Sequence, residues 1–224
     1  MEILPNVHLI PDIIANPYLI VEPEGLTLVD TGIPGSEKKI LNYISDLGRS
    51  PHDLKRILIT HSDLDHVGSL AALKQASGAR TYASEIEAKA IAKGQASRQI
   101  KPANPLRRLL FFFLRFRFKA IPIQIDELLK DDQVLPILGG LRVVETVGHT
   151  PGHISLYAPA LSLLFPGDSM VSDEKGLYGS RLANTWDEAK AGESVRKQAA
   201  LGAKTVCPGH GPVVTDAQGK FPKN

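Results

Sequence analysis

The sequence has one cysteine, Cys207, and so no second thiol to pair with it. An internal disulfide, a disulfide-stapled scaffold and a Cys-rich zinc module are therefore excluded. Charge of one sign is not in excess: 26 basic and 24 acidic residues leave a net charge of +2. That is too balanced for a chain whose whole surface holds nucleic acid. Long apolar runs are missing as well. The longest, Leu109 to Leu114, falls far short of the ~20 residues that a membrane-spanning helix needs. At the N-terminus no basic segment precedes an unbroken apolar core, because Asp12, Asn16 and prolines interrupt it. No signal peptide is expected, and the expected location is cytoplasmic. Tandem repeats, low-complexity linkers, a Gly-rich phosphate loop and a G-x-S-x-G motif are absent too.

What remains is an ordinary globular composition, with 43% hydrophobic and 22% charged residues in 224. Residues 1–224 are expected to form a single domain. Val7–Ile10, Tyr18–Val21 and Leu26–Val29 are short β-branched-rich runs separated by proline and glycine, as strands require. A helix follows Ser36 and stops at Gly48, then a buried strand covers Arg56–Thr60. The pattern continues with a helix over about 67–76, a strand over 80–83 and a helix that Ser84 and Glu87 could open as a capping box. Strands are expected over 133–136, 141–147, 154–157 and 161–165, then a helix over 187–200 and a strand over 204–207. Two sheets packed on each other with helices outside would bury these elements.

The segment Thr60-His61-Ser62-Asp63-Leu64-Asp65-His66-Val67-Gly68 carries the strongest chemical signal. His61, Asp63, Asp65 and His66 crowd the end of a buried strand, where a loop can turn nitrogen and oxygen donors toward one point for a divalent cation. His149, Asp168 and His210 repeat the context, each beside glycine just beyond a strand. One such histidine would be an ordinary loop residue; the repetition is the argument.

These motifs resemble the metallo-β-lactamase superfamily, whose pattern is an early Asp, then H-x-H-x-D-H, then a separate His, Asp and His. The match runs in order through Asp30, the His61–His66 cluster, His149, Asp168 and His210. The resemblance implies an α/β fold: a four-layer αββα sandwich of two mixed β-sheets flanked by helices, with metals at the sheet edges. It implies that His61, Asp63 and His149 hold one metal and Asp65, His66 and His210 the other, with Asp168 bridging. Asp30 would lie outside the ligand set and orient it by hydrogen bonds. His153 matches a common family histidine beyond the metals, for which loop support and substrate contact both stay open.

The departure is Asp63, where the family has histidine. Counting ligands alone, two dications, a hydroxide and the usual two carboxylates leave one positive charge, which Asp63 cancels. Such a core should acidify its water less. Two divalent ions are expected, with zinc favoured and manganese or iron admitted by the oxygen donors.

The expected function is a metal-dependent hydrolase using a metal-bound hydroxide, with Asp65 as the catalytic proton carrier, on a small ester, thioester, lactone or amide. An acyl-homoserine-lactone-type lactonase is the specific alternative. A di-iron redox protein or a non-catalytic metal-binding module is the alternative of another class. Between Ala88 and Ile125 there is no acidic residue but nine basic ones, together with five of the seven phenylalanines. This basic aromatic insertion, at about 95–125, offers Phe111, Phe112, Phe113 and Phe116 as candidate substrate contacts. It could serve as a lid, a homodimer surface or a lipid contact; nucleic acid is not the expected partner. Cys207, on an apolar strand, is read as an inert buried thiol.

Overall fold

Successive side chains of a strand point to opposite faces, and the central strands are buried on both, so the alternation decides which layer each side chain enters. The computed structural model describes residues 1–98, 120–180 and 184–222. Strands β1 (Glu2–Leu4), β2 (Val7–Leu9), β3 (Tyr18–Glu22), β4 (Gly25–Val29), β5 (Leu54–Leu58), β6 (Arg80–Ser84) and β7 (Glu127–Leu129) form one sheet in that order. Pairing is antiparallel from β1 to β4 and parallel from β4 to β7. Strands β8 (Val134–Leu135), β9 (Leu141–Glu145), β10 (Ile154–Ala158) and β11 (Leu163–Gly167) follow as an antiparallel meander. A ribbon of β12 (Met170–Asp173) and β13 (Gly176–Gly179) comes next. The last strand, β14 (Thr205–Pro208), completes the second sheet by pairing parallel to β11.

On β3, Tyr18 and Ile20 face the second sheet, while Leu19 and Val21 face outward under the helices. On β10, Leu156 enters the space between the sheets and Tyr157 the opposite face. Three apolar layers result. The middle one joins the sheets through Tyr18, Leu58, Val143, Leu156 and Phe165. The outer face of the first sheet is covered by α1 (Glu37–Asp46), α3 (Leu70–Ser77) and α4 (Glu85–Ile91), through Ile40, Ile44, Leu70, Leu73 and Ile91. The outer face of the second is covered by α5 (Glu188–Ala199), whose Val195 packs with Val144, Leu164 and Val206. This is the expected α/β sandwich of two mixed sheets flanked by helices.

Several expectations are corrected. The helix foreseen over 67–76 is two pieces, α2 (Leu64–Val67) and α3, separated at Gly68–Ser69. Gly68 keeps helical dihedrals, and Ser69 departs from them at φ −102° and ψ 5°, with its hydroxyl tied to the Ile33 carbonyl and the Glu37 carboxylate. Leu161 ends a 3₁₀ turn, and β11 starts two residues later. The β12–β13 ribbon and the edge strands β1 and β7 are not apparent in the sequence, because runs of three or four residues carry too little periodicity. Of the 95–125 insertion, residues 99–119 lie outside the described residues, and with them Phe111, Phe112, Phe113 and Phe116. Its described tail packs Ala120, Ile123 and Ile125 against the helical side of the first sheet. No helix among the described residues is long and apolar enough to cross a membrane.

Candidate metal centre

The parallel pairs β4–β5 and β11–β14 end on one edge of the sandwich, and there the chain leaves the ladders. Asp30 follows β4, His61 follows β5 by three residues, Asp168 follows β11 and His210 follows β14 by two. His149 comes from the loop after β9, which runs in the same direction as β11 because both pair antiparallel to β10. Asp65 and His66 lie in the first turn of α2.

Asp30 is buried and sits at φ +59°, a left-handed conformation that aspartate tolerates better than most residues. Its Oδ1 accepts the Thr60 backbone N–H at 2.9 Å. Its Oδ2 accepts the Thr60 hydroxyl and His66 Nδ1–H, both at 2.8 Å. Having given its proton to Asp30, the Thr60 hydroxyl can only accept from His61 Nδ1, 3.0 Å away. Both rings therefore use Nδ1 as a donor and turn Nε2 to the centre, where it is bare whenever the ring is neutral. The Nδ1 of His149 is held 2.8 Å from Ser180 Oγ.

The donors fall into two sets, one of His61, Asp63 and His149 and one of Asp65, His66 and His210, linked by a third group of His61, His66 and Asp168. Within each group the candidate ligand atoms all lie within 4.8 Å of one another. In the first, Asp63 Oδ2 lies 3.7 Å from His61 Nε2 and 3.3 Å from His149 Nε2. In the second, which comprises Asp65, His66 and His210, Asp65 Oδ2 lies 3.2 Å from His210 Nε2. Asp168 stands between them, with Oδ1 3.3 Å from His66 Nε2 and Oδ2 3.3 Å from His210 Nε2 and 3.7 Å from His149 Nε2. His61 Nε2, Asp63 Oδ1, His66 Nε2 and Asp168 Oδ1 are buried without a hydrogen-bond partner among the described residues. A partnerless buried polar atom costs about 1–3 kcal/mol. Such atoms, on residues whose candidate ligand atoms converge, fit divalent cations, and the nitrogen–oxygen mixture suits zinc, manganese or iron. Gly209 belongs to this geometry, since a Cβ there would collide with Asp168 Oδ1 and come within 2.8 Å of His66 Cε1.

The metallo-beta-lactamase superfamily model matches residues 10–210. The chain belongs to this superfamily. It is 29% identical over 228 residues to the probable metallo-hydrolase YflN of Bacillus subtilis, covering 94% of this chain and 85% of that one. It is 30% identical over 159 residues to a hydroxyacylglutathione hydrolase of Cereibacter sphaeroides, covering 70% of this chain and 48% of that relative. A crystal structure of a metallo-beta-lactamase family protein from Thermus thermophilus superposes with a TM-score of 0.75 at 24% identity, covering 98% of this chain and 78% of that one. The chain is thus a hydrolase of the metallo-beta-lactamase superfamily.

Asp63, the departure from the superfamily pattern, has a partner that counting ligands omits. Its Oδ2 accepts from the guanidinium of Arg98, whose side chain is 6% exposed. The arginine returns the positive charge that Asp63 removes. In the sequence Arg98 is only one cation of the basic segment, and nothing local ties it to a residue 35 positions earlier.

Glu87, expected as the second half of a capping box, does something else. Only the first half of the box forms: Ser84 Oγ accepts the Glu87 N–H at 3.4 Å. The Glu87 carboxylate is fully buried and accepts from the Ser62 N–H, Ser97 hydroxyl, Thr150 hydroxyl and Gly152 N–H at 2.7–3.0 Å. It thereby ties the His61–His66 loop, the His149 loop and the residue before Arg98 to one point. On the opposite side, Asn16 and Tyr18 donate to the Pro208 carbonyl, and Asn16 also to that of Gly211, fixing the His210 loop. His153 is a supporting residue here. Its Nε2 accepts the Asp168 N–H at 3.1 Å and its Nδ1 meets Thr146 Oγ1 at 2.9 Å.

Electrostatics separates the histidines. Burial, helped by neighbouring His66 and His149, pushes the His61 pKa well below its ordinary value. Burial likewise dominates the strong lowering of His153. Burial also opposes a charge on His66, but the carboxylates of Asp168 and Asp30 together outweigh it and raise its pKa well above 6.5. The Asp168 and Asp65 carboxylates raise His210 to about 9. For Asp168 itself, burial is overcome by His66 and His210, which hold the carboxyl well below its usual range. Burial raises the Cys207 thiol pKa, in keeping with an inert core thiol.

Proposed function

We propose that this chain cleaves an ester, thioester, lactone or amide bond of a small molecule at a centre of two divalent ions. The reading is carried by the inward-facing ring nitrogens and carboxylate oxygens, several of them buried and partnerless. His61, Asp63 and His149 would hold one ion, Asp65, His66 and His210 the other, and Asp168 would serve both. When bound, such ions supply Lewis acidity toward an acyl carbonyl and acidify water beside it.

The chain's own residues supply direction. His61, His66 and His149 close the centre from below, with side chains at most 3% exposed, whereas Asp65 is 33% and His210 28% exposed. Substrate therefore approaches over Asp65 and His210. Asp65 Oδ2, beside His210 Nε2, is the carboxylate oxygen placed to take the proton of an attacking water and pass it to the leaving group. Thioesters are the first bond to test, since the Cereibacter relative is named for hydroxyacylglutathione and the chain spans about half its length. Lactones come next.

A panel of S-acyl, O-acyl, lactone and anilide substrates, assayed before and after chelation and metal refilling, tests the reading. Hydrolysis of at least one class should vanish with chelator and return on refilling. Asp65→Asn should lower kcat by about a hundredfold or more while leaving the fold intact. Metal-replete protein that hydrolyses none of these classes, or turnover indifferent to chelator, would refute it.

A further inference from the structure

Arg98 reaches the metal centre by construction. The residue before it is fastened twice: the Ser97 N–H donates to Ser62 Oγ and the Ser97 hydroxyl to Glu87 Oε1, both at 2.8 Å. Ser62 itself lies between His61 and Asp63. This double anchor delivers the Arg98 guanidinium onto Asp63 Oδ2, the oxygen that also faces His61 Nε2 and His149 Nε2. The guanidinium and an ion in the first position would share one oxygen. Two further observations make the arrangement a contest. Arg98 Nε is buried without a partner among the described residues, so the guanidinium is not fully satisfied where it sits. In the second position, the described ion pairs of Asp65 and Asp168 all come from histidines, with no competing lysine or arginine.

We propose that Arg98 is a resident cation of the first metal position, competing with the ion for Asp63, so that the two positions load in order. One ion enters tightly at Asp65, His66, His210 and Asp168. The other enters His61, Asp63 and His149 only as Arg98 gives up the shared oxygen. A unit charge beside a dication at about 5 Å weakens binding by about tenfold even in a water-like dielectric, and by more in a buried site. The inference rests on the metal-centre reading, but it concerns affinity and order of loading rather than the bond cleaved.

Titration of chelator-stripped protein with cobalt(II), followed by calorimetry and by elemental analysis at each plateau, tests it. Wild type should take one equivalent tightly and a second at least about tenfold more weakly. In Arg98→Gln the second step should tighten by about tenfold or more, with the first step little changed. Arg98→Lys keeps the charge and should stay near wild type. Thermal melts of the stripped variants report whether each is folded, and the two-step wild-type curve stands without any variant. Two equal steps in wild type, or an Arg98→Gln second step that is unchanged or weaker, would overturn the competition and leave the hydrolase reading standing. No uptake at either position would overturn both.

Discussion

At the scale of single residues, the charge states of the histidines set a measurable signature for metal uptake. His210 is raised to about 9 by Asp168 and Asp65, and His66 is raised by Asp168 and Asp30 against its burial. A ligating nitrogen must be neutral, so an ion entering the second position displaces protons from these rings. At pH 7 uptake at this position should release on the order of one proton or more, and the share that comes from His210 should fall away above about pH 9. Calorimetry in buffers of different ionisation enthalpy measures this, and release that is flat from pH 7 to 10 would contradict it. The sign for stability follows. A folded-state pKa above the unfolded 6.5 contributes stability below pH 6.5 that is lost as pH rises through about 9. The stripped protein should therefore melt at progressively lower temperature across that window. His61 and His153, lowered by burial, act below pH 6.5 and do not offset it there.

At the scale of elements, Glu87 converts a helix start into a fastening point. It stands in the first turn of α4, yet its carboxylate leaves the helix and collects four hydrogen bonds from three separate segments. Glu87→Gln keeps the shape but replaces one acceptor oxygen with a donor facing N–H and O–H groups. That should cost about 2–4 kcal/mol of stability and loosen metal binding by roughly 10–100-fold, the usual effect of disturbing groups behind metal ligands. Ser84→Ala removes the cap and the bond from the Ser84 hydroxyl to the Gly152 carbonyl, but leaves the Glu87 carboxylate and its four donors in place. It should cost about 1–2 kcal/mol, with metal affinity lowered far less than in Glu87→Gln. Equal metal loss in both variants would reduce Glu87 to a helix cap. The contrast also marks what sequence can reveal. His61, His149, Asp168 and His210 are legible because each follows an apolar strand and stands beside a loop signal, so local pattern and function coincide. Glu87, Arg98 and Asn16 are not legible, because their partners lie between 10 and 195 positions away and are brought near only by packing. The break between α2 and α3 is hidden for the same reason, since it falls at Ser69, whose hydroxyl partners Ile33 and Glu37 lie 36 and 32 positions away.

At the scale of the whole molecule, the metal centre is a seam. His61, Asp63, Asp65 and His66 hang from the first sheet, while His149, Asp168 and His210 hang from the second. The sheets are otherwise joined by the apolar middle layer, in which Tyr18 and Phe165 pack with ring centroids 5.3 Å apart. Ions that draw ligands from both sheets should therefore stabilise the sandwich as a unit rather than one loop. With free ion at about a hundredfold over its dissociation constant, the linkage contributes about 2.7 kcal/mol. For a chain of this length that is a rise in melting temperature of roughly 5–10 °C. Hydrogen exchange should locate the gain at the ends of β4 and β5 in one sheet and of β11 and β14 in the other, at the same ion concentration. Protection confined to the first sheet would mean that His149, Asp168 and His210 do not take part in holding the ions. The two-sheet centre would then have to be given up in favour of a site made by the His61–His66 loop alone.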